Sequence, residues 1–202
     1  MSGQNAIKGY LFQSMIAVLN SFDKDWDEIC VEPNTELDKI DIVWSGNQFS
    51  EVCQVKSSIN NFSKNDILKW IEYLRLDNPN ANKYIVCLIG SSDNATKQFF
   101  NAIDSKTVND FPSGYVNLEL IKDKIDVIFE PNNIATLENA LISGVDKFFY
   151  SHNILADHPT KKLIANGMVN QIIKLSTSGT KMSKDDFEKH LLEWVTYNYS
   201  SQ

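Results

Sequence analysis

The stretch KIDIVWSGNQFSEVCQVKSS, residues 39–58, decides the fold class of this 202-residue chain. Two runs within it, Lys39–Trp44 and Glu51–Ser57, alternate apolar and polar residues with the period of a half-buried β-strand. The four residues between them, 45–48, are turn formers and indicate a hairpin connection. The stretch therefore predicts a β-hairpin early in the chain.

The alternation places chemically useful side chains together. Successive side chains point to opposite faces of a strand, so Asp41 and Val43 share one face of the first strand. On the second strand, Val52, Gln54 and Lys56 share a face. A carboxylate, an amide and an ammonium can then lie side by side, as in a divalent-metal phosphodiesterase site. The alternative is a cross-strand ion pair between Asp41 and Lys56, which stabilises little. The apolar residues around Asp41 and Lys56 favour a functional role for them, because an unpaired charge is costly to bury.

These residues resemble a known family. Asp41, followed thirteen residues later by Gln54-Val55-Lys56, resembles the motif of the PD-(D/E)xK nuclease superfamily, in its Mrr-like branch where Gln replaces the acid. A wider set resembles the double-stranded-DNA endonuclease domain of bacterial anti-phage effectors, including CBASS-associated nucleases and the nuclease ends of multidomain defence ATPases. That set is GYLFQ at 9–13, Val31-Glu32, Ile40-Asp41-Ile42 and QVKSS at 54–58. The resemblance implies a restriction-endonuclease-like α/β fold: a mixed sheet flanked by helices, with a helical C-terminal part.

The resemblance also implies a set of metal ligands. Asp41 would bind Mg²⁺ or Mn²⁺, and the side-chain carbonyl of Gln54 would join it, because an amide oxygen can coordinate a hard cation. The backbone carbonyl of Val55 would be a further ligand. Glu32 is either a second carboxylate ligand or an edge charge. Glu51 points to the opposite face and could replace Gln54 only through a bulge.

The remaining site residues complete the implied function. Lys56 would position the attacking water and stabilise the transition state, and Gln13 on the first helix would support the site. The expected activity is Mg²⁺-dependent cleavage of double-stranded DNA with little sequence preference. Two alternatives stay open. One is a catalytically inactive nuclease fold that serves as an interaction or DNA-binding module. The other is an unrelated α/β enzyme or adaptor with an Asp41–Lys56 ion pair.

Composition limits these expectations. The net charge is −7 and Arg75 is the single arginine, whereas DNA-binding proteins usually present a basic face. Assembly into a homo-oligomer, or a fused or associated sensor or ATPase domain, would have to supply further phosphate contacts. The three cysteines, Cys30, Cys53 and Cys87, lie in apolar runs and are expected to be buried thiols. No apolar run has the length of a membrane span, so we expect a cytoplasmic protein without membrane contact.

Periodicity and capping residues predict the other elements. A first helix is predicted over residues 4–22 by the helical repeat of Ile7, Tyr10 or Leu11, Ser14 or Met15, Val18 and Phe22. Ser63 with Asp66 resembles a capping box. Loop residues Glu36 and Asp38 are expected to be solvated. The predicted strands are 29–32, 83–90, 117–120 and 125–129, and the predicted later helices are 63–76, 91–103, 133–150, 160–175 and 183–197. We expect residues 1–202 to form one nuclease domain, either alone or as the N-terminal part of a multidomain protein.

Overall fold

The structure is a computed structural model that describes residues 3–23, 25–104 and 111–199. The strands are β1 Glu28–Val31, β2 Ile42–Gly46, β3 Phe49–Ser57, β4 Lys83–Ile89, β5 Ile125–Glu130 and β6 Met182–Ser183. The helices are α1 Gly3–Ser21, α2 Lys64–Asp77, α3 Asn94–Asp104, α4 Ile134–Ser151, α5 His158–Ser176 and α6 Lys184–Tyr199, with a 3₁₀ segment over Ser113–Lys124. The strands form a mixed sheet in the order β5-β4-β3-β2-β1-β6, which confirms the predicted α/β class.

The described chain divides into two compact units. The first unit holds the described residues before Pro33, the short piece Ser45–Asn47, and those from Asn133 onward. The second unit holds the described residues of Pro33–Trp44 and Gln48–Asn132. Strand β2 contributes residues to both. The expectation of one domain over residues 1–202 stays a prediction.

The second unit is organised around the parallel strands β3, β4 and β5. Lys56 of β3 is in register with Leu88 of β4, and Leu88 with Phe129 of β5. Strand β4 is buried from Tyr84 to Ile89, as its unbroken apolar run predicts for a strand of a parallel sheet. Helix α2 buries the predicted face, Ile67, Leu68, Ile71 and Leu74. These contacts fix strand β3, which bears Gln54, Val55 and Lys56 of the predicted site, and helix α2, which packs against it.

The hairpin is confirmed with shifted bounds. Strand β2 begins at Ile42, so Lys39, Ile40 and Asp41 precede the strand that was predicted to include them. Asp41 bonds to β3 outside the ladder, and its N–H donates to the Cys53 carbonyl at 2.9 Å. The turn is also shorter than the predicted 45–48, because β2 continues to Gly46 and only residues 47–48 connect the strands.

The predicted strand over residues 117–120 is wrong. The residues lie in the 3₁₀ segment Ser113–Lys124. Three apolar residues spaced by three, Tyr115, Leu118 and Ile121, contact the core of this unit, whereas Leu120 is 87% exposed. The segment bends at Tyr115, whose φ of −131° is not helical, and beyond the bend the three-residue repeat of a 3₁₀ helix places Leu118 and Ile121 on one side. The alternation of polar and apolar residues over 117–120 led to the prediction of a strand, because the three-residue spacing extends beyond this short run.

The first unit contains α1, β1, β6 and the three C-terminal helices. Strand β6 is only two residues long and was not predicted; it pairs antiparallel with β1 through Ile29 and Met182. On α1, Met15 and Val18 are buried as expected, but Ile7 and Tyr10 are 71% and 51% exposed. The predicted apolar face therefore holds only for the later turns of the helix.

Smaller corrections concern the buried faces of helices α4 and α6. Helix α4 buries Phe149, where Phe148 was expected, and α6 buries Val195 while Trp194 is half-buried. The half-buried indole of Trp194 packs against Gly167 of α5, where an added Cβ atom would collide with the ring. The three cysteines are free and buried, which confirms that prediction.

Candidate functional site

A pocket of about 230 Å³ lies in the second unit, between the loop before β2, strand β3 and helix α2. Asp41, Gln54 and Lys56 all contribute to it. The full set of lining residues is Asp38, Lys39, Asp41, Gln54, Lys56, Trp70 and Tyr73. Three of the residues singled out by the sequence thus surround one cavity, and their chemical roles stay predictions.

Asp41 is anchored against β3 by two hydrogen bonds. Its backbone N–H donates to Cys53, and its side-chain Oδ2 accepts the Val55 N–H at 2.6 Å. A short bond from a backbone amide to a carboxylate is charge-assisted and holds the side chain in place. Val55 thus meets Asp41 through its N–H, while the predicted role of its carbonyl as a metal ligand stays a prediction.

Gln54 is 3% exposed, and its amide is oriented by one bond. Its Nε2 donates to the Lys39 carbonyl at 2.8 Å. Its Oε1 is buried and has no hydrogen-bond partner among the described residues. A buried carbonyl oxygen left in this state costs about 1–3 kcal/mol, and each instance calls for an explanation. Gln54 therefore has a buried amide oxygen that no described group satisfies.

These residues fit a divalent cation. The Gln54 Oε1 atom is unpartnered in the described structure, and a carboxylate and an amide oxygen are ligands that Mg²⁺ and Mn²⁺ accept. No group of three or more His, Cys, Asp or Glu residues that could hold a metal exists in the described ranges. A cation here would therefore depend on the amide oxygen of Gln54 beside the carboxylates of the pocket.

Lys56 is half-buried near the end of β3 and lines the pocket. Within the described second unit its ammonium makes no salt bridge, so the alternative of an Asp41–Lys56 ion pair is not formed there. Arg75 is occupied, because its guanidinium bonds both carboxylate oxygens of Glu72 at 2.6 and 2.9 Å. Lys56 therefore offers the pocket a cationic side chain that forms no salt bridge with a carboxylate of the described second unit.

Two aromatic residues of α2 complete the pocket and were missed by the sequence analysis. Trp70 and Tyr73 are three residues apart and lie off the buried face of the helix. Trp70 packs edge-to-face on Phe62, with ring centroids 5.8 Å apart. Their spacing of three residues places them on one side of the helix, outside the buried face, and this spacing could have identified them from the sequence. The helix thus contributes to the pocket through its middle turns.

The loop before β2 is held by Asp77, the last residue of α2. Its carboxylate accepts the Thr35 hydroxyl at 2.7 Å and the N–H groups of Leu37 and Lys39, each at 2.9 Å. Partial burial alone would raise the pKa of Asp77, but these hydrogen bonds outweigh it and leave the pKa below its ordinary value. Asp38, expected to be solvated, is exposed and also lines the pocket.

Glu32 and Gln13 belong to the first unit. Glu32 follows β1 with a φ of 53° and lines an apolar cavity of about 640 Å³, together with Ile7, Tyr10 and Ile173. Gln13 lies on α1, and its Oε1 is buried without a partner among the described residues. The roles proposed for both residues beside Asp41 stay predictions.

Solved structures share this fold. The chain superposes on the Moraxella osloensis Cap4 SAVED/CARF-domain containing receptor with a TM-score of 0.66 and 13% identity. The match covers 93% of this chain and 47% of the receptor. An Acinetobacter baumannii Cap4 receptor of the same kind, with the cyclic trinucleotide 3′3′3′-cAAA, gives a TM-score of 0.63 at 12% identity over 95% and 45% of the two chains.

These matches show that the fold is shared over almost the whole of this chain. The chain spans less than half the length of these Cap4 receptors. No protein-family model and no curated protein matches the sequence. In the part of the chain that the structure describes, no helix is both long and apolar enough to span a bilayer.

Proposed function

We propose that this chain is a metal-dependent DNA endonuclease that acts in bacterial anti-phage defence. One observation carries the proposal: Asp41, Gln54 and Lys56 surround a single pocket, and the buried Gln54 Oε1 has no partner among the described residues. Asp41 and Gln54 are the residues that would hold a divalent cation. A cation bound there would activate water at neutral pH and neutralise charge on a phosphoryl oxygen.

The residues of the chain provide the positioning for this chemistry. The Val55 N–H keeps the Asp41 carboxylate against β3, and the Lys39 carbonyl orients the Gln54 amide so that its oxygen is left for a ligand. The Lys56 ammonium supplies positive charge where negative charge develops on the phosphate. Groups held in place before the reaction need no reorganisation during it, which is the main source of electrostatic catalysis.

The proposed substrate is double-stranded DNA, cut with little sequence preference. Arginine is the residue most used to read guanine edges, and the single arginine of this chain is paired with Glu72. Lysine can hold phosphates without reading bases. The likeness to Cap4 receptors supports the anti-phage context that the sequence resemblance implies.

Cleavage of linear and plasmid DNA in Mg²⁺ and in Mn²⁺ tests the proposal. The chain should cut both substrates, excess EDTA should stop the reaction, and Asp41→Asn should abolish it. Glu36→Gln is the matched control, because Glu36 is an exposed acid in the same loop and does not line the pocket. Activity that persists in EDTA would contradict the proposal. Cation binding without cleavage would favour the inactive nuclease-fold module.

Recognition of a cyclic oligonucleotide is a second candidate. It is favoured by the A. baumannii Cap4 receptor with 3′3′3′-cAAA, which shares this fold over 45% of its length. Calorimetric titration of the chain with 3′3′3′-cAAA, with and without Mg²⁺, separates the two functions. Tight binding of this ligand with no cleavage of DNA would favour the receptor function. Cleavage without binding would favour the nuclease.

A further inference from the structure

We propose that Asp38 supplies the second carboxylate of the cation site, a role that the sequence left open for Glu32. This inference rests on the proposed function and names a ligand of the same site. Asp38 lines the pocket that Asp41 and Gln54 line. Glu32 belongs to the other unit and lines a different, apolar cavity.

A second observation, besides the carboxylates that line the pocket, points to a ligand there. Gln54 lines it and is 97% buried, with its Nε2 fixed on the Lys39 carbonyl and its buried Oε1 without a hydrogen bond among the described residues. An unpartnered buried oxygen is stabilised when a cation binds it. The carboxylates of Asp38 and Asp41 line the same pocket and would attract a cation bound at this oxygen.

The charge of the site favours a second acid. Gln54 stands where the resembled motif has a carboxylate, which leaves Asp41 as the single acid among the motif residues. Mg²⁺ is usually bound through one or two carboxylates. Asp38 restores the missing negative charge from the loop side of the pocket. Within its unit, the Asp38 carboxylate makes no hydrogen bond or salt bridge in the described structure, so it is available to a cation.

The backbone fixes Asp38 in this position. Asp38 has a φ of 54°, in the left-handed region that Asp and Asn enter more readily than other non-glycine residues. The residues on either side, Leu37 and Lys39, donate their N–H groups to Asp77. The Asp77 carboxylate thereby holds the turn on both sides of Asp38. The same Lys39 residue orients Gln54 through its carbonyl.

The test measures Mn²⁺ binding by electron paramagnetic resonance on the full chain, apart from any activity. Asp38→Asn keeps the size of the side chain and its tolerance of positive φ. It should weaken Mn²⁺ binding at least tenfold, about the lower end of the loss seen when a residue supporting a metal ligand is removed. Glu36→Gln removes the same charge two residues away and should change the affinity less than about twofold. Asp38→Gly, which also suits this backbone, should match Asp38→Asn.

A double substitution sharpens the result. Gln54→Glu added to Asp38→Asn returns one carboxylate to the pocket and should recover most of the lost affinity. If Asp38→Asn and Asp38→Gly bind Mn²⁺ as the unsubstituted chain does, while Asp41→Asn does not bind, the inference is overturned and the proposed nuclease site stands. If the unsubstituted chain binds no Mn²⁺, the proposed function fails together with the inference.

Discussion

At the scale of single residues, the site depends on where a few polar atoms of β3 and its neighbouring loop are directed. Asp41 accepts the Val55 N–H, and Gln54 donates to Lys39 while its oxygen stays without a partner in the described structure. These bonds immobilise the two proposed ligands before any cation arrives. Lys56 differs, because no salt bridge within the described second unit fixes its ammonium. Its removal should therefore disturb chemistry more than folding.

We expect Lys56→Ala to lower the rate of DNA cleavage about 10²- to 10³-fold, the usual effect of losing one preorganised electrostatic contact. The melting temperature and DNA affinity should stay close to those of the unsubstituted chain. Lys56→Arg should not restore the rate, because a planar guanidinium does not replace a compact ammonium. Cleavage and thermal melting are measured on the same samples. Early melting of both Lys56→Ala and Asp41→Ala, with activity per folded molecule retained, would reject the nuclease assignment.

Gln54→Glu should tighten Mg²⁺ binding and keep or raise activity, because it supplies the carboxylate missing from the motif. The same substitution removes the Nε2 donor and sets a carboxylate against the Lys39 carbonyl. Without metal the variant should therefore melt at a lower temperature, and Mg²⁺ should recover the difference. Calorimetry and thermal melting with and without Mg²⁺ check both effects. Gln98→Glu, at an exposed position of α3, is the control. Unchanged Mg²⁺ affinity would remove Gln54 from the proposed ligands.

At the scale of elements, α2 connects the core of its unit to the loop that bears Asp38. Ser63 caps its N-terminus through the Asp66 N–H, as the sequence predicts. Asp77 ends the helix, where a negative charge is unfavourable because the helix dipole places partial negative charge there. The three hydrogen bonds from the loop explain why an acid stands at this end.

Asp77→Asn should lower the free energy of unfolding at neutral pH by about 1.5–3 kcal/mol, the range for hydrogen bonds to a charged group. The pKa of Asp77 is below its ordinary value in the folded chain, so this stabilisation is present above about pH 4. It is lost as the pH falls through the folded-state pKa. Urea unfolding at pH 7 and at acid pH should therefore show a difference between the chains that shrinks with acidification.

The matched control for Asp77 is Glu119→Gln, which alters an exposed carboxylate of the 3₁₀ segment. It should leave the free energy of unfolding nearly unchanged at both pH values. A loss of stability in Asp77→Asn that is the same at pH 7 and at acid pH would show that the carboxylate charge does not anchor the loop.

At the scale of the whole molecule, the net charge of −7 opposes binding to DNA. Several lysines of the described second unit lie over aromatic rings. Lys64 stands 4.8 Å from the ring centre of Phe99, and Lys69 stands 5.6 Å from that of Tyr73. No arginine is left to add phosphate contacts, since Arg75, the single arginine of the sequence, pairs with Glu72. A single copy of the chain thus offers few contacts to a duplex.

The isolated 202-residue chain should be a poor nuclease at about 150 mM salt, where surface charge is screened beyond about 8 Å. Activity should rise at lower salt and when several copies are joined, for example through a trimeric coiled coil, because joined copies share phosphate contacts. A plasmid-cutting assay over a range of salt and protein concentration measures both effects. A coiled-coil fusion carrying Asp41→Asn is the control. Full activity of dilute, unfused chain at that salt would show that assembly is not required.

Short-range patterns in the sequence were enough to predict much of the fold. The alternation in residues 39–58 predicted the hairpin, the apolar run of Lys83–Gly90 predicted β4, and Ser63 with Asp66 predicted the start of α2. These features depend on neighbours a few residues apart, so local periodicity and capping reveal them. The meeting of Asp41, Gln54 and Lys56 at one pocket also followed, because strand alternation and a short turn bring them together.

Only the tertiary structure decided which other residues form that pocket and what holds them in place. Asp77 holds loop residues that lie 38 to 42 positions away in the chain. The unpartnered oxygen of Gln54, the entry of Asp38 into the pocket, and the contributions of Trp70 and Tyr73 also depend on such distant contacts. Residues 117–120 were predicted as a strand, whereas they belong to a 3₁₀ segment. Contact with the core of the unit decides which of its residues are buried, and the local sequence does not show that contact. Local propensity does not specify hydrogen bonds and packing between distant segments, since the fold alone brings those groups within reach.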